Sequence, residues 1–138
     1  MRDIVFRGKR VDNSEWVQGS LLSLDDGGYR IVTSSLIDFD SVASADMICS
    51  YAVEEESVGQ YTGLEDDNGK PIFEGDIIHC TARRDGANMV VIFENAEFRM
   101  VLCEKYRKRI PDSGFYDISC FGKEVIGNIY DNPELLEE

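Results

Sequence analysis

The sequence predicts an all-β protein, and three features of the chain lead to that prediction. Short runs of apolar and β-branched residues recur at close spacing, with Gly, Asn and Asp between them. Few segments show the apolar periodicity of a helix. The stretch Asp67-Asn68-Gly69-Lys70 contains the dipeptide that most strongly favours a tight hairpin. We therefore expect a barrel or sandwich of short strands.

The N-terminal half contains predicted strands separated by clear turns. Asp12-Asn13-Ser14-Glu15 and Asp25-Asp26-Gly27-Gly28 supply two of these turns. The segment Leu36 to Asp46 is rich in Ser and Asp and is compatible with either a loop or a short helix. The predicted strands are Ile4 to Arg7, Trp16 to Leu24, Tyr29 to Thr33 and Met47 to Val53.

The C-terminal half has the strand and turn content of a small barrel. The acidic triplet Glu54-Glu55-Glu56 precedes it, so we expect an N-terminal β-rich subdomain over residues 1–56 and a barrel over residues 57–138. A short helical turn is predicted at the end, where Asn132 is suited to capping and Pro133 to the first helical position. The predicted strands are Val58 to Thr62, Asp76 to Ala82, Met89 to Glu94, Glu97 to Cys103, Phe115 to Phe121 and Glu124 to Tyr130.

Two of these strands have different predicted burial patterns. In the strand that starts at Glu97, the apolar residues Phe98, Met100 and Leu102 alternate with their neighbours, which is typical of a half-buried strand. The run Met89 to Phe93 is apolar throughout, which favours a strand covered on both faces.

The charge of the chain limits the kinds of partner it favours. Its 138 residues include 27 acidic and 14 basic side chains, for a formal net charge of −13. Because binding to phosphates depends on Lys and Arg, nucleic acid is an unlikely general partner, and anionic membranes are disfavoured too. A positively charged partner is favoured. The alternative is that the charge only keeps the protein soluble.

The sequence predicts a cytoplasmic protein. No apolar run approaches membrane-spanning length, and the first residues lack the hydrophobic block of a signal peptide. The cysteines are irregularly spaced and form no C-x-x-C pair, so reduced, buried thiols are expected. They are Cys49, Cys80, Cys103 and Cys120.

The segment Val58 to Ile78 carries the strongest turn chemistry in the chain. Asn68-Gly69 predicts a type I′ turn, because both central residues of that turn have positive φ. Gln60-Tyr61-Thr62 and Pro71-Ile72-Phe73 flank the turn as the expected arms of a hairpin. Gly75 then permits a sharp bend into the next strand.

The same residues carry a resemblance to the YopX family, which comprises small proteins encoded by phages and prophages. The similar stretches are Gln60-Tyr61-Thr62-Gly63-Leu64, Asn68-Gly69-Lys70, Phe73-Glu74-Gly75-Asp76, Ile126-Gly127-Asn128-Ile129-Tyr130 and Asn132-Pro133-Glu134-Leu135-Leu136, with Phe6-Arg7-Gly8-Lys9 and Trp16-Val17-Gln18-Gly19 near the start. The signature positions expected to have structural roles are Gly59, Tyr61, Gly63, Asn68, Gly69, Phe73, Gly75, Asp76, Gly127, Asn128 and Pro133.

The resemblance implies a mostly-β protein whose C-terminal part is similar to an SH3-type barrel. It also implies a homo-oligomer in the cytoplasm of a bacterial host cell, with no established biochemical activity.

Glu74 and Asp76 are the one candidate pair of carboxylates for a metal or for acid–base chemistry, and a metal-dependent hydrolase built on them is one hypothesis. The structural interpretation is favoured, in which Gly75 bends the chain and Asp76 bonds to the local backbone. The acidic run Glu65-Asp66-Asp67 is interpreted as simply preceding the turn. An EF-hand is excluded, because the window from Asp66 ends in Ile77 rather than Glu.

No other pattern predicts an enzyme. His79 and Cys80 are neighbours on a strand and point to opposite faces, so they are a poor catalytic or zinc-binding pair. The sequence contains no G-x-S-x-G elbow and no phosphate-binding glycine loop. We expect no catalytic residues, no metal and no cofactor.

A basic cluster is the one candidate interaction site. With Tyr106 as a stacking residue, it is compatible with nucleic-acid binding by an SH3-like module. The alternative is a solvated hairpin tip whose charges prevent strand pairing, and the net charge favours that alternative. The cluster consists of Lys105, Tyr106, Arg107, Lys108 and Arg109.

The leading hypothesis is a non-enzymatic, phage- or prophage-derived protein that self-associates and acts through protein contacts. Its acidic surface is a candidate ligand for a basic host or phage protein. Nucleic-acid binding through the basic cluster is the alternative.

Overall fold

Antiparallel strands account for most of the residues that the computed structural model describes, which are 3–35, 47–81, 86–102, 115–117 and 122–136. The mainly-β prediction is confirmed. Short 3-10 turns cover Glu55–Ser57 and Pro133–Leu136. The strands are β1 (Phe6–Lys9), β2 (Trp16–Ser23), β3 (Tyr29–Ser35), β4 (Met47–Val53), β5 (Gly59–Glu65), β6 (Pro71–Phe73), β7 (Asp76–Cys80), β8 (Ala87–Glu94), β9 (Glu97–Leu102), β10 (Phe115–Asp117) and β11 (Lys123–Asn128).

The chain divides into two compact units, Asp3–Gln60 and Tyr61–Glu138. The N-terminal unit contains β1 to β4 and the first residues of β5. The C-terminal unit contains the rest of β5 and all later strands. The sequence-based boundary follows Glu56, and in the structure the division falls within β5.

The strands of the N-terminal unit pair in the order β4-β3-β2-β1, and the start of β5 pairs with β1. The end of β4 also returns to the chain after β1, where Arg10 bridges Val53 and the Val11 N–H donates to the Ala52 carbonyl at 3.0 Å. As a result, β1 to β4 form a closed ring of hydrogen-bonded neighbours. Val53 and the central β3 residue Ile31 are buried.

Cations lie on aromatic rings at the surface of this unit. The Arg7 guanidinium carbon lies 4.9 Å from the centroid of the Trp16 ring system, and the corresponding Arg10 carbon lies 4.1 Å from the Tyr51 centroid. Arg10 also donates to both Asp12 carboxylate oxygens, at 2.9 and 2.6 Å. These hydrogen bonds hold the pKa of Asp12 below its ordinary value.

In the C-terminal unit the main sheet has the strand order β10-β9-β8-β7-β11. The later part of β5 forms a separate hairpin with β6. One apolar cluster fills this unit, with Ile72 of β6 at its side and β7, β8 and β9 supplying most of the other side chains. Its fully buried members include Ile72, Ile78, Met89, Val91, Met100 and Leu102.

The burial of β8 differs from the prediction. Met89 and Val91 are buried, whereas Val90 and Ile92, which alternate with them, are only half-buried. Phe93 is exposed. The expectation that the run Met89 to Phe93 is covered on both faces is therefore wrong. The alternation shows that the second face of β8 is only partly covered, and Phe93 lies beyond the last pair of β8 with β7, which is Val90 with Ile77. Apolar sequence alone could not show either feature.

Other sequence expectations agree closely with the structure. The bounds of β4 match those predicted, and β2 ends one residue earlier than predicted. The segment Leu36 to Asp46 lies outside the described residues. In the described part of the chain, no helix has the length and apolar character needed to cross a membrane. The SH3-type barrel stays a prediction of the resemblance.

Truncating Ile72 tests the position of the core. Ile72 has no exposed surface, so I72A leaves a cavity, and we expect the free energy of unfolding to fall by about 2–5 kcal/mol. Urea denaturation followed by far-ultraviolet circular dichroism measures this change. The control V11A removes atoms from a residue that is 55% exposed, and its effect is expected to stay within about 0.5 kcal/mol. Equal effects of the two substitutions would contradict this placement of the core.

Candidate functional site

The predicted hairpin joins β5 to β6. Tyr61 lies opposite Phe73 with ring centroids 5.6 Å apart, and Glu65 lies opposite Pro71. The two strands are unequal between these pairs, because β5 contains an irregularity there. The Thr62 hydroxyl bridges the irregularity by donating to the Ile72 carbonyl at 2.8 Å. Gly63, with a φ of 87°, lies in the same stretch.

The turn of this hairpin is not the predicted type I′. Gly69 has a φ of 80°, but Asn68 does not have the positive φ that a type I′ turn requires. The Gly69 N–H donates to the Asp66 carbonyl at 3.0 Å, and the Asp66 N–H donates to the Lys70 carbonyl at 2.8 Å. This is a three-residue loop that ends in a left-handed glycine. The Asp66 side chain favours it, because Oδ1 accepts from the N–H groups of Asn68 and Lys70 at 2.9 and 2.8 Å.

The second carboxylate oxygen of Asp66 binds a distant strand. Asp66 Oδ2 accepts from the Val125 N–H at 2.9 Å, and the neighbouring Asp67 N–H donates to the Lys123 carbonyl at 3.0 Å. Asp66 is only 7% exposed. Its turn thereby provides partners for two backbone groups on the outer edge of β11. The sequence interpretation treated this acidic run as no more than a lead-in to the turn, and it missed this role.

The environment of Asp66 shifts its pKa downward. Burial by itself raises the pKa of a carboxyl group. Here the N–H groups of Val125, Lys70 and Asn68 donate to the carboxylate and hold the pKa of Asp66 below its ordinary value. The group is therefore charged at neutral pH and serves as a fixed acceptor.

The Glu74-Gly75-Asp76 step forms the second bend. Gly75 has a φ of 90°. Its N–H donates to the Val91 carbonyl of β8 at 2.8 Å, and its carbonyl accepts from the Ile129 N–H, just after β11, at 2.9 Å. Asp76 is 1% exposed, and its Oδ2 accepts from the Phe73 N–H at 2.8 Å. Within the described ranges, no cluster of three His, Cys, Asp or Glu side chains is arranged to hold a metal ion.

A third turn, Asn128 to Asn132, follows β11, and we call it the signature turn. The Asn128 side-chain oxygen accepts from the Tyr130 and Asp131 N–H groups at 3.0 and 2.8 Å. The Asn128 N–H donates to Asn132 Oδ1 at 3.2 Å, and the Asn132 N–H donates back to the Asn128 carbonyl at 2.8 Å. These bonds fix the turn in one conformation and direct Ile129 and Tyr130 to its outer side.

Gly127 makes the signature turn possible. A Cβ at this position would lie 2.5 Å from Asn132 Oδ1, which is far closer than atoms pack. Pro133 then starts the final 3-10 turn, and Asn88 of β8 ties this turn down by donating to the Leu135 carbonyl at 3.0 Å. Asn88 Oδ1 faces His79 Nδ1 at 2.9 Å, so His79 Nδ1 carries the proton.

The remaining predicted positions are less informative. Gly59 is buried opposite Arg7 at the start of β5. Cys80 is buried and Cys49 is half-buried. Cys103, Cys120 and the whole basic cluster from Lys105 to Arg109 lie outside the described residues.

A protein family matches this chain along almost its whole length. The model of the family described as "YopX protein" matches residues 5–137. The chain belongs to the YopX family. A crystal structure of protein EF1440 from Enterococcus faecalis is similar, with a TM-score of 0.55 and 24% sequence identity, and the likeness covers 99% of this chain and 100% of that one. At this identity the likeness concerns the fold. No curated protein matches the sequence.

Many residues of the YopX signature in this chain therefore have a stereochemical explanation. Gly69 and Gly75 adopt positive φ, Gly127 leaves room for a side-chain amide, and Asp76 and Asn128 bind local N–H groups. None of these roles is chemistry on a substrate. The surfaces that the turns present are the better candidates for function, and the signature turn presents Ile129, which is 42% exposed, and Tyr130.

Replacing Asp66 tests the bond between the hairpin turn and β11. In D66N one acceptor oxygen becomes an NH2 group that opposes an N–H, so we expect a loss of about 1–3 kcal/mol in the free energy of unfolding at pH 7. D67N is the control, because Asp67 is exposed and contacts β11 through its backbone N–H. Chemical denaturation measures both variants, and equal stabilities would contradict the role of Asp66.

The stability of the wild type should also depend on pH through Asp66. Because its folded-state pKa is lowered, its contribution is complete above the unfolded pKa of about 3.9 and is lost as the pH falls through the folded pKa. D66N lacks this group, so the stability difference between the two proteins should shrink in acid. A difference that stays constant down to pH 2 would contradict the lowered pKa.

A double-mutant cycle tests the close approach at Gly127. G127A places a methyl group against the Asn132 amide, and we expect it to destabilise the protein by more than about 1 kcal/mol. In an N132A background the amide is absent, so the same glycine substitution should cost less. Additive effects in thermal denaturation would show that Gly127 and Asn132 are not coupled.

Proposed function

We propose that this YopX protein is a non-enzymatic protein-interaction module that self-associates. Its setting in the proposal is the cytoplasm of a bacterium that carries a phage or prophage, which rests on the family resemblance. The observation that carries the proposal is the signature turn, because it holds exposed apolar side chains in a fixed conformation.

The signature turn has the properties of a pre-formed contact surface. Ile129 and Tyr130 are 42% and 39% exposed, and Ile126 at the bulge of β11 is exposed as well. Apolar and aromatic side chains of this kind dominate the energy of protein interfaces. The hydrogen bonds of Asn128 and Asn132 order the turn before any contact forms, so binding there loses little conformational entropy.

The carboxylates support the non-enzymatic part of the proposal. The buried Asp66 and Asp76 accept hydrogen bonds from the backbone, and these bonds hold turns in place. A catalytic carboxylate needs access to a substrate, and neither side chain has it.

Self-association of so acidic a chain should respond to salt in a defined way. Copies that each carry a net charge of −13 repel one another. If an apolar turn drives assembly, screening of this repulsion should strengthen it, so association should increase between low and moderate salt. Assembly through ion pairs predicts the opposite trend.

Light scattering coupled to size exclusion tests the proposal. We expect the wild type to elute as an oligomer and the double variant I129S/Y130S to shift towards the monomer. L22S, which changes an exposed apolar residue of β2, is the control and should leave the mass unchanged. A wild type that is monomeric at every salt concentration would overturn self-association.

A further inference from the structure

The loop between β5 and β6 contains the dipeptide Asn68-Gly69. An asparagine that precedes glycine is especially prone to lose its side-chain amide, because glycine has no side chain to shield the backbone nitrogen that attacks the amide carbon. The Asn68 side chain is exposed, and it makes no hydrogen bond in the part of the chain that the structure describes. Its amide carbon is therefore accessible to the nitrogen of Gly69.

The other asparagines of the chain are held or hindered. The chain has six asparagines, and all of them lie in described residues. Asn95 precedes Ala96, whose methyl group stands beside the attacking nitrogen. The side chains of the remaining asparagines make hydrogen bonds within a turn or to a neighbouring element, and these residues are Asn13, Asn88, Asn128 and Asn132. The structure thus distinguishes Asn68 from the rest.

Three hydrogen bonds hold the loop around Asn68 closed. The Gly69 N–H donates to the Asp66 carbonyl at 3.0 Å, and Asp66 Oδ1 accepts from the Asn68 and Lys70 N–H groups at 2.9 and 2.8 Å. Before the Gly69 nitrogen can attack, it must lose the proton that it donates to the Asp66 carbonyl. The carboxylate also fixes the peptide units before Asn68 and after Gly69. The closed loop therefore slows the reaction.

We propose that Asn68 is a site of spontaneous deamidation, and that opening of the Asp66 loop sets its rate. In the open loop, base removes the Gly69 amide proton, and the nitrogen forms a bond to Asn68 Cγ. The bond from Cγ to the side-chain nitrogen breaks, and that nitrogen takes up a proton and leaves as ammonia. Water then opens the cyclic imide. The reaction consumes water, releases ammonia in equal amount and needs no oxidant, reductant or partner protein.

The two products of hydrolysis affect the loop differently. Opening of the imide at Cγ gives aspartate, whereas opening at the main-chain carbonyl gives isoaspartate, in which a methylene group is inserted into the backbone. The longer backbone no longer matches the spacing of the two N–H groups that Asp66 Oδ1 binds. Asp66 Oδ2 holds the Val125 N–H, and the Asp67 N–H holds the Lys123 carbonyl. Isoaspartate in this loop therefore loosens the hairpin from β11.

Ageing of the purified protein at neutral pH and physiological temperature tests the site. Mass spectrometry of the proteolytic fragment that contains Asn68 measures the conversion, and a protein isoaspartyl methyltransferase measures the isoaspartate. We expect Asn68 to convert before any other asparagine, and N68Q to gain no isoaspartate in this fragment. An end-blocked peptide of residues 63–73 lacks the folded loop and should convert at least about tenfold faster than the protein, which corresponds to about 1.4 kcal/mol.

Variants matched in charge separate the loop from its acidity. D66N and D67N each remove a carboxylate beside the site, but the Asp66 side chain holds the loop closed whereas Asp67 is exposed. D66N should convert Asn68 at least about fivefold faster than the wild type, and D67N should stay within about twofold of it. V91A truncates a buried residue of β8 and lowers the global stability without changing the loop, so it should also stay within about twofold.

Hydrogen exchange at the Val125 amide reports the bond between the loop and β11. In aged wild type that contains isoaspartate, this amide should exchange at least about tenfold faster than in fresh protein. N68D carries the new charge but keeps the normal main chain, so its Val125 amide should stay as protected as in fresh wild type.

Several results would overturn the proposal. Earlier conversion of any other asparagine would remove Asn68 as the site. Equal rates in the protein and the peptide, or in D66N and D67N, would show that the loop does not control the reaction. A rate in V91A that rises as much as the rate in D66N would assign the reaction to global unfolding. Unchanged exchange at Val125 after conversion would show that the hairpin stays attached to β11.

Discussion

The carboxylate of Asp66 is the interaction on which the C-terminal unit most depends. One oxygen shapes the hairpin turn by accepting from Asn68 and Lys70, and the other accepts from Val125. A single buried charge therefore fixes the turn type and attaches that turn to a strand far along the chain. The N–H groups that surround the carboxylate compensate for its burial. The apolar cluster packs next to the hairpin and the strand that this bond joins.

The family signature of this protein describes how its turns are built. Gly75, Asp76, Gly127 and Asn128 each satisfy a local steric or hydrogen-bonding requirement. Such residues stabilise the fold of this chain, and they leave the function open. The surface that we propose for interaction is the signature turn, where exposed apolar side chains are held by ordered backbone.

Sequence reasoning located the strands well where turns bound them on both sides, as for β2. It also located the central hairpin from Asn68 and Gly69. It gave the wrong turn type, because the Asp66 side chain reshapes the loop and local propensity does not include a bond to Val125, which is distant in sequence. It also overestimated the burial of β8, since the covering of a strand depends on where its neighbours begin and end.

The candidate surfaces were predictable only in part. Ile129 and Tyr130 lie in a stretch that resembles the family signature, but their exposure follows from the hydrogen bonds of Asn128 and Asn132. The Phe93 ring was assigned to a covered strand and is exposed. The exposure of these side chains cannot be derived from periodicity. It depends on the hydrogen bonds within a turn in the first case and on the pairing of distant strands in the second.

The outer edge of β11 has a consequence for how assemblies of this protein can grow. Its backbone groups at Lys123, Val125 and Asn128 already have partners in the Asp66 turn and in Asn132. An incoming strand cannot bond to these three groups while the turns occupy them, which disfavours extension of this edge of the sheet from one molecule to the next. The two side-chain caps and the Asp67 N–H therefore protect this edge against growth into amyloid-like fibrils, and an assembly that avoids the edge is free to close on itself with a defined number of subunits.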